Sequence, residues 1–329
     1  MKLGILGSGK IVNDLLSFIK EVDGIELEAI GSTERSYDKC LKLKEENGIN
    51  KAYKNGDEVL KDPDVEVAYI GVPNFLHYDM VKKALNSGKH VICEKPFTSN
   101  AGQLKELIDL AKEKNLMLIE AISNVYLPNV KEIKKDLAKL GQVKIVTFNY
   151  SQYSSRYDAF KEGKLAPVFD INKDGGALVD LNIYNIHLIV ELFGLPKRAR
   201  YLANIERSID TSGIMTMEYD DFKAIAIGAK DCSAPLNSTI QADEGSIVID
   251  NPPNEVSHYD LILNNEKAQR KNLQEDRHRM YYEFVEFEKI FREKDYETVE
   301  RRLDHSLKVL ELMEKARLEA GIVYPSDKK

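Results

Sequence analysis

A glutamate and a lysine follow an apolar run in the segment that ends at Pro96. His90–Cys93 predicts a strand, and Glu94 and Lys95 come directly after it. Open α/β sheets bind ligands at the carboxyl ends of their strands, so an ammonium here can reach a crevice that holds a cofactor and a substrate. A solvated lysine followed by a turn proline is the alternative interpretation of the same residues.

The chain begins with a strand that runs into a glycine-rich turn. Leu3–Leu6 predicts the strand and Gly7–Gly9 the turn, with a helix-like stretch after it. A tight turn before a helix N-terminus suits the pyrophosphate of a dinucleotide. The third glycine of the usual fingerprint is missing, because larger residues stand at 10–12, and a turn without a ligand is the alternative. The residues assigned to the pyrophosphate site are Gly7, Ser8, Gly9, Lys10 and Ile11.

The end of the second predicted strand, Ile25–Ile30, indicates which dinucleotide binds. NAD-binding folds commonly carry an acidic residue there for the ribose hydroxyls, and this chain has Ser32, Thr33 and Arg35 instead. These side chains can donate hydrogen bonds to a 2′-phosphate, which favours NADP(H). Glu34, turned inward, would instead bind the ribose of NAD(H), so NAD(H) is the alternative cofactor.

An aspartate, a tyrosine and a histidine recur at helical spacing in a later segment. Asp180, Tyr184 and His187 stand at i, i+4 and i+7, so they share one face if Gly176 begins a helix. Hydride transfer to or from a carbinol carbon needs a proton acceptor and a nearby positive charge. A phenol with a pKa of about 10 can accept the proton when an ammonium such as Lys95 lies within roughly 4–6 Å. A tyrosine that only packs in the core is the alternative.

Six segments in this order resemble the glucose-fructose oxidoreductase and inositol dehydrogenase (Gfo/Idh/MocA) family. They are the glycine turn, Val72–His77, Glu94–Pro96 with Glu120–Ala121, Asp174–His187 and Ala320–Pro325. The resemblance implies an NAD(P)-dependent oxidoreductase acting on CH–OH groups of a sugar, polyol or small diol. It also implies further cofactor-binding residues, which are Val72, Pro73, Asn74, His77, Glu94, Lys95 and Glu120.

The same resemblance implies roles in the later segment. Tyr184 takes the acid–base position with His187 one turn on, and Asp180 orients the substrate and sets the electrostatics around Lys95. Asn182 stands where the family commonly has glycine. His77 as an ordinary helix-start residue remains an alternative. Candidates for the wall of the substrate pocket are Arg156, Tyr157, Lys164 and Phe169.

Strand and helix patterns predict two domains. In residues 1–121 short apolar runs alternate with helical stretches, which predicts a doubly wound parallel sheet of the Rossmann type. Residues 122–329 carry longer strand-like pieces such as Val143–Gln152 and Phe222–Ala229, with a turn at Asp220-Asp221, which predicts an α+β domain on a mostly antiparallel open sheet. We expect this domain to bind substrate and to mediate assembly. A helix over 303–320 either packs within it or packs back on the first domain.

Composition limits the classes of partner. The formal net charge of −7 over 329 residues argues against nucleic-acid binding. We expect no disulfide or metal site, because the cysteines number three and are widely spaced. No apolar run of roughly 18 residues and no leader-like N-terminus are present, so we expect a cytoplasmic protein without a membrane span. Apolar residues on both faces of the second sheet, together with the family resemblance, predict a homodimer or homotetramer.

Two other functions stay open at this point. Related folds serve as nucleotide-sensing regulators, and others use NAD in redox-assisted glycoside cleavage. A pure sensor has no need for the Lys95 and Tyr184 pair. Redox-assisted cleavage predicts no net change in nicotinamide absorbance. The paired lysine and tyrosine therefore favour a dehydrogenase or reductase.

Overall fold

Packing divides the chain into two compact units. The computed structural model describes residues 1–328. The first unit comprises Met1–Ile122 and Met280–Leu307, and the second comprises Ser123–Arg279 and the residues from Lys308 onward. The sequence pattern assigned residues 122–329 to the second domain, with packing on the first domain as an option only for a helix over 303–320, so the grouping of residues 280–302 with the first unit differs from that expectation.

In the described part of the chain, the first unit is built on a six-stranded parallel sheet. Its strands are β1 Lys2–Leu6, β2 Glu26–Gly31, β3 Lys51–Tyr53, β4 Val67–Ile70, β5 His90–Glu94 and β6 Leu118–Ala121. Its first helices are α1 Lys10–Phe18, α2 Tyr37–Asn47, α3 Gly56–Lys61, α4 His77–Asn86 and α5 Ala101–Glu113. The spatial order β3-β2-β1-β4-β5-β6 is the order of dinucleotide-binding folds.

The apolar runs become strands because helices cover both faces of the sheet. All residues of β4 and β6 are buried, as expected for a parallel sheet between two layers of helices. The strand β3 was not predicted, since it has three residues, none of them fully buried, and no apolar pattern marks it.

The second unit carries a mixed sheet in which one strand pair is parallel. The helices before it or within it are α6 Pro128–Asp136, α7 Tyr157–Lys161 and α8 Ile183–Phe193. Within residues 1–328 its strands are β7 Val143–Ser151, β8 Arg198–Glu206, β9 Ile209–Glu218, β10 Lys223–Ala229, β11 Ser238–Ala242, β12 Gly245–Ile249, β13 Tyr259–Leu263 and β14 Gln269–Lys271. The order is β14-β13-β12-β11-β7-β10-β9-β8, and only β7 and β10 run parallel among these neighbours.

Alternating side chains give this sheet one covered and one open face. Met215 and Met217 in β9 are buried, whereas Ile214, the residue before Met215, is 39% exposed. The turn at Asp220-Asp221 is confirmed, because β9 and β10 pair antiparallel across it. The sequence pattern missed β11, β13 and β14.

One described segment, Ile171–Phe193, is long and apolar enough to span a membrane. Of its most apolar window, 83% is buried inside the protein. The core helix of a folded domain has the same length and composition, so the segment is weak evidence for a membrane span.

Two further helices, α9 Tyr281–Glu293 and α10 Tyr296–Glu319, complete the chain's regular structure. Phe284 of α9 lies 5.8 Å from the Phe18 ring and 5.9 Å from the Tyr69 ring, so α9 packs on the first unit through aromatic side chains. Such burial explains why residues 280–307 group with the first unit. The part of α10 from Lys308 belongs to the second unit.

Candidate active site

Five strands of the first unit bring their carboxyl ends to one edge of the sheet. Strand register places Gly31, Leu6, Ile70, Cys93 and Glu120 in one row from β2 to β6. The residues that follow this row are therefore neighbours along the edge. They include the glycine turn after β1, Ser32 after β2, Val72 after β4 and Glu94 at the end of β5. The chain leaves β1 and β4 in opposite directions, and such a switch point is where open α/β sheets bind ligands.

The glycine turn has the conformation that a pyrophosphate site needs. Gly7 has a φ of +126°, its N–H donates to the Gly31 carbonyl at 2.8 Å, and a side chain there would meet the Gly71 carbonyl. Gly9 precedes α1 without a side-chain cap, and a Cβ at Gly9 would meet no atom within 4 Å. A helix start with no side-chain cap and with space beside Gly9 fits the pyrophosphate of a dinucleotide.

The end of β2 presents donors rather than a buried carboxylate. Ser32 is half-buried, and Thr33, Glu34 and Arg35 are exposed. The Thr33 hydroxyl donates to the Ser36 hydroxyl at 3.2 Å, which ties this turn together. Glu34 lies in the same exposed turn as Arg35, so both side chains are accessible to a ligand at this edge.

His77 lies beneath this edge, between two loops. Its Nδ1 is 2.8 Å from the Pro96 carbonyl and its Nε2 is 2.9 Å from the Val72 carbonyl. The ring is 1% exposed, and burial lowers the pKa of His77. Both ring nitrogens thus contact main-chain oxygens. His77 therefore links the loops after β4 and β5, and its ring is not exposed to open space.

Two buried carboxylates flank the half-buried Lys95. Glu94 accepts a hydrogen bond from the Tyr69 hydroxyl at 2.6 Å, and Glu120 accepts one from the Phe97 amide at 3.1 Å. Burial raises the pKa of Glu120 to about 7, although hydrogen bonds from Ser306 and Phe97 oppose the shift. These contacts fix the turn that carries Lys95.

The tyrosine-bearing segment of the second unit begins at a glycine that no other residue can replace without strain. Gly176 has a φ of +119°, and a side chain there would collide with the buried Asp210 carboxylate. Asp210 in turn accepts hydrogen bonds from the Leu178 amide at 2.7 Å and the Tyr201 hydroxyl at 2.8 Å. The Tyr324 hydroxyl donates to the Gly175 carbonyl at 2.7 Å, so the C-terminal segment also holds this start.

The segment is not a regular α-helix from Gly176, contrary to the expectation. A π-helical turn spans Leu178–Asn182, and α8 follows it. Asn182 is fully buried and its side chain donates to the Ala226 carbonyl of β10 at 3.0 Å. A Cβ at Gly228 would lie 2.6 Å from the Asn182 Cβ, so this close approach to β10 accompanies the wider turn. Single π turns of this kind occur frequently at functional sites.

The predicted acid–base residues are buried along this segment. Tyr184 is 7% exposed and His187 is 1% exposed. The Tyr184 ring lies 6.0 Å from the Tyr150 ring, and the Tyr184 carbonyl accepts a hydrogen bond from the Asn124 side chain at 2.8 Å. The backbone that carries the phenol is therefore held from outside its own helix.

Asp180 has a partner that the sequence reasoning missed. Its carboxylate forms an ion pair with Lys230, which directly follows β10. No motif marks Lys230, because it stands fifty residues after Asp180 at the end of an ordinary strand.

The candidates for the pocket wall divide into two groups. Tyr157 and Phe169 are buried in an aromatic cluster, whereas Arg156 and Lys164 are exposed.

Comparison with known proteins agrees with this geometry. The family model described as "Oxidoreductase family, NAD-binding Rossmann fold" matches residues 1–122. The scyllo-inositol 2-dehydrogenase (NADP(+)) IolU of Bacillus subtilis is 33% identical over 332 residues, which cover 99% of this chain and 99% of that relative. The chain belongs to the Gfo/Idh/MocA oxidoreductase family. The family expected from the sequence motifs is thereby confirmed.

One more relative and one solved structure are similar to this Gfo/Idh/MocA oxidoreductase over nearly its whole length. A trans-1,2-dihydrobenzene-1,2-diol dehydrogenase from Macaca fuscata fuscata is 26% identical and covers 100% of this chain and 99% of its own. The crystal structure of a 3-ketoreductase from Actinomadura kijaniata in complex with NADP and TDP-benzene matches with a TM-score of 0.83. It is 19% identical and covers 97% of both chains. The expected fold class, a Rossmann domain with a mostly antiparallel second sheet, is confirmed.

Proposed function

We propose that this chain is an NADP(H)-dependent oxidoreductase that transfers a hydride between the nicotinamide and a hydroxyl or carbonyl carbon of a polyol, sugar or small diol. The observation that carries the proposal is the full-length relationship to an NADP(+)-dependent inositol dehydrogenase. The glycine turn at the switch point of the parallel sheet supports it independently.

Residues of the first unit would hold the cofactor. The turn Gly7–Gly9 and the amides of α1 would bind the pyrophosphate, and Glu94 would bind the nicotinamide ribose. Val72, Pro73 and Asn74 would line the adjacent edge. When bound, NADP(H) supplies or accepts the hydride. His77 and Glu120 contact the loops after β4 and β5. These contacts would stabilise the conformation of the cofactor-binding edge.

Four side chains would transfer the hydroxyl proton, stabilise the charge that develops on the substrate and orient it. The Lys95 ammonium would stabilise the alkoxide that develops on the substrate oxygen, and the Tyr184 phenol would take or give the hydroxyl proton. Asp180 would orient the substrate. His187, one turn beyond Tyr184 and buried, is the alternative acid–base residue.

NADP(H) preference follows from the exposed turn after β2. Arg35→Ala should weaken NADPH binding at least about tenfold, since a charge-assisted hydrogen bond contributes roughly 1.5–3 kcal/mol. NADH binding should change little. Glu34→Ala is the matched control in the same turn and should leave NADPH binding intact. A wild type that prefers NADH in a binding titration would show that Glu34, not Arg35, selects the cofactor.

The remaining assignments concern location and assembly. We place the enzyme in the cytoplasm, with its first domain binding the cofactor and its second binding the substrate. The open face of the second sheet would pair two copies into a homodimer, with a homotetramer as a larger assembly. Exposed apolar residues on that face, including Leu202 and Ile214, support this proposal.

Absorbance at 340 nm tests the activity directly. Purified enzyme is mixed with NADP⁺ or NAD⁺ and a panel that includes scyllo-inositol, sorbitol, glucose and trans-1,2-cyclohexanediol. Net reduction of NADP⁺ with at least one polyol or diol is the expected result. Cofactor binding without any turnover would favour a sensor, and glycoside cleavage without net absorbance change would favour a redox-assisted glycosidase.

A further inference from the structure

Lys230 and Asp180 form a charged pair inside the second unit, beside the segment that carries Tyr184. The Lys230 side chain is 7% exposed, and the Asp180 side chain is 34% exposed. The ammonium is therefore almost withdrawn from solvent while the carboxylate keeps an accessible surface. Asp180 lies in the π-helical turn that leads directly into α8.

Main-chain hydrogen bonds and a ring contact hold the lysine in place. Its amide donates to the Thr211 carbonyl at 2.8 Å, and its carbonyl accepts from the Ser154 amide at 2.8 Å. Its ammonium lies 5.9 Å from the centroid of the Phe169 ring, which packs against Phe160 at 4.8 Å. An ammonium between a carboxylate and an aromatic face has a fixed position and direction.

Stability alone is a weak reason for such a pair. Removing two charges from water costs several kcal/mol per ion, and the attraction between them often does no more than offset this. Replacing a buried ion pair by apolar residues is frequently neutral for folding. A buried lysine whose partner carboxylate is accessible therefore points to a role in binding.

We propose that Lys230 and Asp180 together recognise a hydroxyl of the substrate other than the one that reacts. The Asp180 carboxylate, which keeps an accessible surface, accepts the hydrogen bond of that hydroxyl, and the buried Lys230 ammonium fixes the position of the carboxylate. The pair has no net charge, so it fits a neutral polyhydroxylated substrate. The inference rests on the proposed function and names the part of the second unit that selects its substrate class.

Steady-state kinetics of Lys230→Met test the inference. The probes are scyllo-inositol, sorbitol and glucose with NADP⁺, and constants are measured for each that the wild type oxidises. We expect the KM for the polyol to rise at least about tenfold, with kcat reduced less than about threefold and the KM for NADP⁺ within about twofold. This split is expected because a hydrogen bond to a distant hydroxyl acts on ground and transition state alike.

Two further variants separate binding from folding. Lys230→Arg keeps the charge and should restore the polyol KM to within about threefold of the wild type. Lys271→Met removes a lysine that lies 2.6 Å from the buried Asp136 carboxylate in the same unit, so it controls for the loss of an ion pair. Its polyol KM should equal that of the wild type.

The outcomes distinguish this inference from the proposed function. A wild type that oxidises a polyol while Lys230→Met keeps the same polyol KM overturns the inference alone. Equal losses in polyol and NADP⁺ affinity, together with a lowered Tm, overturn it as well, because they indicate a structural role. A wild type that neither oxidises any of the three probes nor binds them in ligand-observed NMR contradicts the proposed function itself.

Discussion

Removing one atom of Tyr184, the phenolic oxygen, separates its packing role from its catalytic role. Tyr184→Phe keeps the ring next to Tyr150, so the free energy of unfolding should change by less than about 1.5 kcal/mol. Turnover should fall at least about a hundredfold if the phenol carries the proton. The measurements are the Tm and kcat with NADP⁺ and the best polyol of the panel.

His187→Gln is the paired variant for this test. It removes the alternative acid–base group one turn away, and we expect it to retain turnover within about tenfold of the wild type. A fully active Tyr184→Phe beside an inactive His187→Gln would show that the proton carrier is His187.

Glu120 should make the stability of the protein depend on pH near neutrality. Its pKa rises from the usual 4.5 to about 7 because the carboxyl is buried. The folded protein therefore holds this proton more tightly than the unfolded chain, so the contribution of Glu120 to stability is full below about pH 4.5 and is lost as pH rises through 7. The loss attributable to Glu120 reaches up to about 3 kcal/mol.

Thermal midpoints from pH 5 to 8 test this linkage. Glu120→Gln should flatten the decline of Tm over that range, whereas Glu113→Gln, an exposed residue of α5, should follow the wild type. Parallel curves for the wild type and Glu120→Gln would contradict a raised pKa at this site.

At the scale of elements, the start of the Tyr184 segment depends on a glycine. Gly176→Ala combines a positive φ with a collision against the Asp210 carboxylate, so it should lower both Tm and turnover. Gly163→Ala is the matched control, because Gly163 has a φ of +92° and open space around its Cβ position. The unfolding free energy of Gly176→Ala should lie at least about 1 kcal/mol below that of Gly163→Ala. Equal stabilities would show that Asp210 moves aside freely.

Several elements could be predicted from the sequence because their signals are local. Gly7–Gly9 between a strand and a helix, the strand that delivers Lys95, and the turn at Asp220-Asp221 depend on neighbours in the chain. Lys230 could not be found in this way, because its pairing with Asp180 is set by how β10 packs beside the π-helical turn. The π turn itself also escapes a periodicity argument, since it is accompanied by a contact of Asn182 with β10, a strand far along the chain.

The assignment of α9 to the first unit also could not be predicted from local sequence signals. Its amphipathic pattern predicts a helix but not which apolar surface covers Phe284 and Phe287. The structure places this aromatic face on the first unit, far along the chain from the residues it contacts. A single domain boundary in the sequence therefore cannot show that residues 280–307 belong to the first unit.

At the scale of the whole molecule, the open face of the second sheet determines the predicted assembly. Leu202, Ile214 and Ile227 are cross-strand neighbours on that face, and the first two are 49% and 39% exposed. A cavity of about 560 Å³ lies among these strands. Contiguous exposed apolar residues of this kind mark association surfaces.

Light scattering at micromolar concentration measures the assembly. The wild type should be a dimer or tetramer, and Leu202→Glu with Ile214→Glu should lower the mass to that of a monomer, because the charges would be buried without partners. Leu165→Glu changes an exposed leucine off the sheet and should leave the mass unchanged. A monomeric wild type would refute assembly through this face.

Direct transfer of a labelled hydride is the sharpest test of the proposed activity. The most active polyol of the panel, deuterated at its carbinol carbons, is incubated with NADP⁺ and enzyme, and the nucleotide is examined by mass spectrometry. We predict reduced NADPH that carries one deuterium, in equal amount to a carbonyl product. Unlabelled nucleotide, or a bound cofactor that is never reduced with any member of the panel, would contradict the assignment as an NADP(H)-dependent polyol oxidoreductase.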